Sequence, residues 1–598
     1  MTEPDDPPFD PTAVRGADLT GSSRDDDPVL VYCANQEATD LGNARRFRRR
    51  HGDLAAQDGE FKAIRVAHIG WHVFDGKRWA EDQEDALVRP LAHATAEAIM
   101  RETALIKPTS NEQAEMDGGR EAAQILADDD GALTPPQKAD LEDSARRGRE
   151  AEKAISNRRN ARRKYARSSQ NSGKITAMLT EAAPYVSRLV DDLNLDRLAV
   201  NCASGTIRFL PPRERGNPFD WWAADLRPHD SRDMITKCAQ ANWRPHHFDK
   251  HLSEGTELPE PNDRAIDLSP PAPEFHAFLK TVLPDEDVRR FLQRYFGYCL
   301  LGLTTEQVLL FFFGAGRNGK STFMDSMTRV LGDYAVTLAI ESLAGDRQRG
   351  GAEATPDLAR LPGARLVAAS EPEAGTKLKE ALIKTMTGGE KFPVRRLHRD
   401  FFEIDPQFKM VISGNHKPVV TDDSDGTWRR LLLVPWDVQI PKGQVDVTLP
   451  DKLRAEADAI FAWLVEGALL YLDDRGLNPP EAITSASKEY RTESDPIDGF
   501  LLDACEITGV AETFTTSRAL FEAYQRWCKE TGAFEYTNTL FHRRLKGKTK
   551  RAYSAPNGSM QQFAKAKSNG TAGYRGIEVL PQYAVSAGGG GKYGDDDG

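Results

Sequence analysis

The chain lacks the close cysteine pairs of a zinc or redox site: its six cysteines, at positions 33, 202, 238, 299, 505 and 528, stand far apart. They read as reduced, mostly buried thiols. It also lacks any run of the roughly 20 apolar residues that a membrane span needs, so no membrane partner is expected. Behind Met1, "TEPDDPPFDP" has neither a basic start nor an apolar stretch, which predicts no secretory signal and a cytoplasmic location. Net positive charge is absent too, since 79 Lys and Arg face 91 Asp and Glu for a formal charge of -12. That balance argues against a nucleic-acid-coated chain, but local distribution decides phosphate contacts. There is no internal repeat.

What is there is long and uneven. At 598 residues, 39% hydrophobic and 28% charged, the composition is globular and the length predicts several domains. Residues 1–28 carry eight acids and two arginines with few large apolar residues, which predicts a disordered acidic arm. Glycine-rich 583–598 reads as a flexible tail. Residues 29–174 read as an α+β region, with a hairpin turning at Asp75-Gly76 and a helical segment whose stretch 145–167 holds ten Arg or Lys against two Glu. That segment is either a solvated basic helix or a nucleic-acid contact. A second α+β segment spans 175–270 and ends in the proline-rich "LPEPN" and "LSPPAPE", after which two amphipathic helices lead into the central motif.

That motif is "FFFGAGRNGKST". Residues 308–313 form a continuous apolar run, as expected of a strand buried on both faces of a parallel sheet. Gly314-Ala315-Gly316-Arg317-Asn318-Gly319-Lys320-Ser321 matches GxxxxGK[ST], and helical spacing follows in Phe323, Met324, Met327 and Leu331. Glycines let backbone N–H groups approach phosphates, and Lys320 supplies a point charge to the β- and γ-phosphates. Ser321, with Thr322 beside it, offers a hydroxyl to Mg²⁺. ATP and Mg²⁺ are the expected cofactors.

Three further segments define what kind of site this is. "ARLVAASEPE" ends a second buried strand in Glu371 and Glu373, where one carboxylate would hold Mg²⁺ and the other orient water. "FKMVISGNHKP" ends a third in Asn415, an amide suited to holding the attacking water. In "DGTWRRLLLVPW", Arg429 and Arg430 precede a fourth, and an arginine from a neighbouring subunit stabilises a transferred phosphoryl group. Between the second and third strands, 388–408 alternates like a hairpin and carries Lys391, Arg395, Arg396, His398 and Arg399, with no acid among these positions. Such cations suit sequence-independent grip on a polyanion. The alternatives are solvated glutamates, a Gly-Asn turn, surface ion pairs and a solvated charge run.

Together, in this order and spacing, these motifs resemble the superfamily 3 helicase domain of phage and plasmid primase-helicases, most specifically over about residues 290–440. The resemblance implies an AAA+ type motor in a hexameric ring around single-stranded and forked DNA, with replication-initiation partners in a prokaryotic host. It assigns Lys320 and Ser321 to Walker A, Glu371 and Glu373 to Walker B, Asn415 to the sensor, and Arg429 or Arg430 to the finger. His398 and Arg399 fall near the hairpin tip, with Lys391, Arg395 and Arg396 on its flanks. The expected fold is multidomain α/β, with the motor over 271–480 and a winged-helix-like DNA-binding unit over 485–582. The first 280 residues show no strand-borne DxD and no zinc spacing, which argues against primer synthesis. Other readings are a primase-helicase with an unrecognised polymerase site, a packaging or defence ATPase, and an initiator that switches without unwinding.

Overall fold

The computed structural model describes residues 27–53, 61–214, 220–244, 272–345, 354–397, 399–422, 424–533, 535–555 and 558–584. The acidic arm but for its last two residues, all but two residues of the tail, and His398 lie outside them. The chain is mixed α/β and divides into two compact units. One comprises residues 1–196, 227–238 and 398–402, and the other 197–226, 239–397 and 403–598. The division at 196/197 differs from the 174/175 step read from composition, because the helix Ser172–Ala182 buries Ile175, Met178 and Leu179 in the first core.

In the first unit, strands β1 (Ala63–Val66), β2 (Gly70–Phe74), β3 (Trp79–Glu81) and β4 (Ser187–Arg188) form a sheet in the order β3-β2-β1-β4. The expected hairpin turn is present: Gly76 has a φ of +97°, and the Asp75 carboxylate accepts from the backbone N–H groups of Lys77 and Arg78 at 2.8 and 2.9 Å. The basic segment lies in one helix, Pro135–Ser169, antiparallel to Ser110–Ala127. A Cβ added to Gly119 would lie 2.7 Å from the Gly148 Cα, so the glycine pair lets the two backbones touch. Many of its cations are held within this unit: Arg158 pairs with Glu112 at 2.6 Å, Arg147 with Asp143 at 2.6 Å, and Arg162 with the buried Glu102.

The second unit opens with strands β5 (Ala199–Cys202), β6 (Gly205–Leu210) and β7 (Ala223–Arg227). The two expected helices follow at Pro273–Val282 and Glu286–Tyr298, and the latter packs on Ala457–Asp474 where Gly297 meets Gly467. At the centre is a five-stranded parallel sheet of β8 (Leu309–Phe313), β9 (Ala335–Thr337), β10 (Leu366–Ser370), β13 (Lys409–Gly414) and β14 (Leu431–Pro435), ordered β14-β8-β13-β10-β9. Between β10 and β13, β11 (Phe392–Arg395) and β12 (Phe401–Ile404) form the expected two-stranded hairpin. β8 and β13 are buried nearly end to end, which is why their sequences are apolar without alternation.

The helix Glu481–Glu493 belongs with this sheet: Ser487 Oγ accepts from the Leu433 N–H at 2.8 Å, and Tyr490 packs against Trp428 and Phe311. A domain start at 485 would therefore cut through this helix. After it, helices Ser517–Thr531 and Asn538–Lys548 and the antiparallel strands Phe514–Thr516, Thr571–Arg575 and Ala564–Ser568 enclose a core of Tyr524, Trp527, Phe541 and Tyr574.

Candidate functional site

Parallel strands deliver their carboxyl ends to one edge, and in open α/β sheets ligands bind there. β8 lies between β14 and β13, and β10 lies beyond β13, so the segments leaving β8, β13 and β10 emerge side by side. These carry the glycine loop, Asn415 and Glu371.

The loop is shaped by its glycines. A Cβ on Gly314 would stand 2.2 Å from the Asn318 side chain and 2.3 Å from the Trp436 carbonyl. Gly316 and Gly319 take φ values of +93° and +82°, and Arg317 one of +51°. Asn318 is buried; its amide donates to the Trp436 carbonyl at 3.0 Å, while the Arg317 carbonyl accepts from the Ile440 N–H at 2.8 Å. Chain leaving β14 thus braces the loop. The helix Lys320–Leu331 begins directly behind it with no side-chain cap, and buries Phe323, Met324, Met327 and Leu331. Its uncapped N–H groups and positive dipole end suit an anion.

Lys320 is 5% exposed, and its ammonium donates to the Gly314 carbonyl at 2.7 Å, the Asn318 side-chain oxygen at 3.2 Å and the Asn415 side-chain oxygen at 3.1 Å. Burial lowers its pKa, and the charge of Glu371 acts against that shift. Glu371 has a φ of +60°, in the left-handed region that a side chain rarely takes, and its N–H donates to the Ser413 carbonyl at 2.7 Å. Pro372 packs on Gly414, where a Cβ would come within 2.8 Å of the proline ring. The ends of β10 and β13 are thereby locked together. Ser321, Glu371 and Glu373 are exposed at this edge, and Thr322 is half-buried.

The arginine pair is elsewhere. Leu431 pairs with Leu309 at the start of β14 and β8, so Arg429 and Arg430 precede the sheet at the edge opposite the loop. Both guanidiniums donate to the Gln307 side-chain oxygen, at 3.1 and 3.0 Å, and the Gln307 amide donates to the Gly388 carbonyl at 3.4 Å, just before the hairpin. Burial and the neighbouring Arg429 lower the pKa of Arg430. The hairpin places Lys391 and Arg399 exposed and Arg395 and Arg396 half-buried; the Arg395 N–H donates to the Thr355 hydroxyl at 2.9 Å. Lys320, Asn415 and Glu371 therefore come together, while the arginine pair does not join them within one chain. Sequence reasoning misses Gln307, Trp436 and the bracing role of Asn318. Their contacts depend on strand order, which no local pattern signals.

The fold is thus a multidomain α/β chain whose second unit presents a strand, glycine loop and helix at a parallel-sheet edge. A family model described as "D5 N terminal like" matches residues 44–284, and a second, the family of unknown function DUF5906, matches residues 312–430. The helicase candidate L207/L206 of Acanthamoeba polyphaga mimivirus is 27% identical over 271 residues, 42% of this chain and 28% of that protein. The helicase candidate 022R of Frog virus 3 is 28% identical over 246 residues, 38% of this chain and 25% of that protein. The primase candidate C962R of African swine fever virus is 27% identical over 154 residues, 26% of this chain and 16% of that protein. The chain spans less than a third of the length of these relatives. Among solved structures, the apo C terminal region of NrS-1 aligns with a TM-score of 0.34 at 14% identity, covering 62% of this chain and 96% of that one. The chain is thus similar, over part of its length, to viral helicase and primase candidates. Among the described residues, no helix is long and apolar enough to cross a membrane.

Proposed function

We propose that the chain is an ATP-dependent replicative DNA helicase, a ring motor of AAA+ type that translocates on single-stranded DNA and unwinds duplex. The observation that carries this reading is the convergence of Lys320, Asn415 and Glu371 at one sheet edge, with Arg429 and Arg430 at the other. A strand of five residues spans about 17 Å, too far for either arginine to reach its own loop. A neighbour's arginine must then complete each site, which calls for heterologous contacts that close into a ring.

The donor set fits ATP with Mg²⁺. The open space at Gly316 and the uncapped helix start leave room for phosphate oxygens, and the Ser321 hydroxyl and Glu371 carboxylate would hold the metal. Bound there, Mg²⁺ neutralises charge on the β- and γ-phosphates. Lys320 holds the phosphates, Glu373 and Asn415 orient the attacking water, and the neighbour's Arg429 or Arg430 stabilises the spreading charge. Lys391, Arg395, Arg396, His398 and Arg399 grip the strand's phosphates. ATP-dependent strand displacement by the full chain, lost in Lys320→Ala, tests this; an active ATPase that unwinds nothing refutes it. Viral relatives named as primase candidates keep a second activity in view, and primer synthesis on a single-stranded template is its assay.

A further inference from the structure

A cleft of about 510 Å³ lies within the second unit, between the helix Glu481–Glu493 and the C-terminal helices. Five cations line it: Lys488 and Arg491 on one wall, and Arg544, Lys548 and Arg551 on the other. Only two carboxylates, Asp495 and Asp498, line it with them. Asp498 is 3% exposed and already accepts from Lys548 at 2.7 Å, Arg551 at 2.6 Å and the Tyr553 hydroxyl at 3.0 Å. Asp495 takes Lys548 at 2.5 Å. The two acids therefore orient cations, and among the lining side chains five cations face two carboxylates, on a chain whose total is -12.

The other three cations are held differently. Arg544 donates to the Thr421 carbonyl at 3.0 Å and lies 5.0 Å over the Tyr536 ring. Arg491 pairs at 2.7 Å with Asp425, a side chain 88% exposed. Lys488 is exposed and makes no ion pair among the described residues. Like charges gathered this closely repel, and a bound polyanion relieves that cost.

We propose that this cleft binds the phosphodiester backbone of a nucleic-acid strand, without reading its bases. Lys488 and Arg491 sit three residues apart on one helix, and Arg544 and Lys548 four apart on another, so on each wall the two Cβ atoms lie about 5–6 Å apart along one face. The aromatic side chains of the lining, Trp428 at 8% and Tyr536 at 3% exposure, offer no open face for a base to stack on. The basic C-terminal helix thus turns Arg544 and Lys548 inward, leaving Arg543 and Lys546 outside. The floor, at Thr421 and Trp428, adjoins the segment bearing Arg429 and Arg430.

The site deepens the helicase reading by adding a second strand-binding surface, but its test needs neither nucleotide nor unwinding. Fluorescence anisotropy of the full chain with labelled oligothymidylate compares wild type with Lys488→Glu and with Lys488→Glu/Arg551→Gln. Lys488 is a surface position, so its variant keeps the wild-type unfolding midpoint. Affinity falls by about tenfold in the single variant, equally for a mixed-sequence strand, and the salt slope falls by about 0.7 for each phosphate no longer neutralised. Unchanged affinity and slope in both variants overturn the proposal. So does displacement of the strand from a Lys320→Ala chain by inorganic tripolyphosphate as effectively as by unlabelled oligothymidylate at equal phosphate concentration, which would make the ligand a free polyphosphate. A chain that binds through the cleft yet unwinds nothing sinks the helicase reading and leaves this one standing.

Discussion

The ammonium of Lys320 donates to the side-chain oxygen of Asn415 across 3.1 Å, joining the loop after β8 to the end of β13. The two strands are adjacent in the sheet though 95 residues separate the side chains. The amide oxygen is therefore in direct contact with the lysine's ammonium. In the proposed ATPase, Asn415→Ala lowers turnover by about 10²–10³-fold and changes nucleotide affinity little, because the amide acts on the attacking water. Lys320→Ala removes both. Steady-state hydrolysis with a separate nucleotide titration distinguishes them.

Two glycines of the loop separate steric from conformational demand. At Gly314 a Cβ collides with the Trp436 carbonyl at 2.3 Å, a backbone atom that cannot swing aside. Gly314→Ala is expected to weaken nucleotide binding by more than about 100-fold and to lower stability. At Gly316 no atom lies within 4 Å, and only the φ of +93° opposes a side chain. Gly316→Ala costs about 1 kcal/mol, roughly fivefold in affinity. Isothermal titration with a non-hydrolysable nucleotide ranks the pair.

Position at the far sheet edge makes a prediction for Arg429 and Arg430. Replacing the arginine that acts as the finger lowers turnover by about 10³-fold. A one-to-one mixture of Lys320→Ala with that variant regains activity, because roughly a quarter of sites pair an intact loop with an intact neighbouring arginine. If each chain used its own arginine, the mixture would stay inactive. Gln307→Leu, which removes the shared acceptor of both guanidiniums, is expected to lower turnover while leaving nucleotide affinity in place.

Much of this site is legible in the sequence because its chemistry is local. The apolar β8, the glycine loop, the helix behind it and the acid-ended β10 each announce themselves within a dozen residues, and the structure gives each the element expected. The hairpins at Asp75-Gly76 and over 392–404 are legible from alternation and turn residues. What is not legible depends on pairing at a distance. Nothing near Gln307 signals that two arginines more than a hundred residues later will share its oxygen. The charge run at 145–167 is ambiguous for the same reason, since its ion-pair partners Glu102 and Glu112 lie on other elements. The amphipathic pattern of helix Glu481–Glu493 does not say which core it faces, so a boundary near 485 cuts through an element that belongs to the central sheet.

The first unit carries its own pH dependence. Burial, joined by the charges of Arg50 and Lys62 and opposed by a backbone hydrogen bond at Leu91, lowers the pKa of His51 from 6.5 to about 3. The folded state keeps this ring neutral where the unfolded chain takes up a proton. Stability is therefore present above pH 6.5 and is lost as pH falls toward 3, by at most about 3 kcal/mol between pH 7 and pH 4. Thermal unfolding of wild type against His51→Phe across that range isolates the contribution. A wild-type curve with the same acid slope as the variant would remove His51 as its source.

The helicase reading stands or falls on strand displacement from a forked substrate, with wild type and Lys320→Ala assayed side by side in ATP and Mg²⁺. Wild type is expected to unwind the fork only when ATP is present, and Lys320→Ala to unwind none, with both still binding single strands. A wild-type chain that hydrolyses ATP but releases no strand from any fork would contradict it.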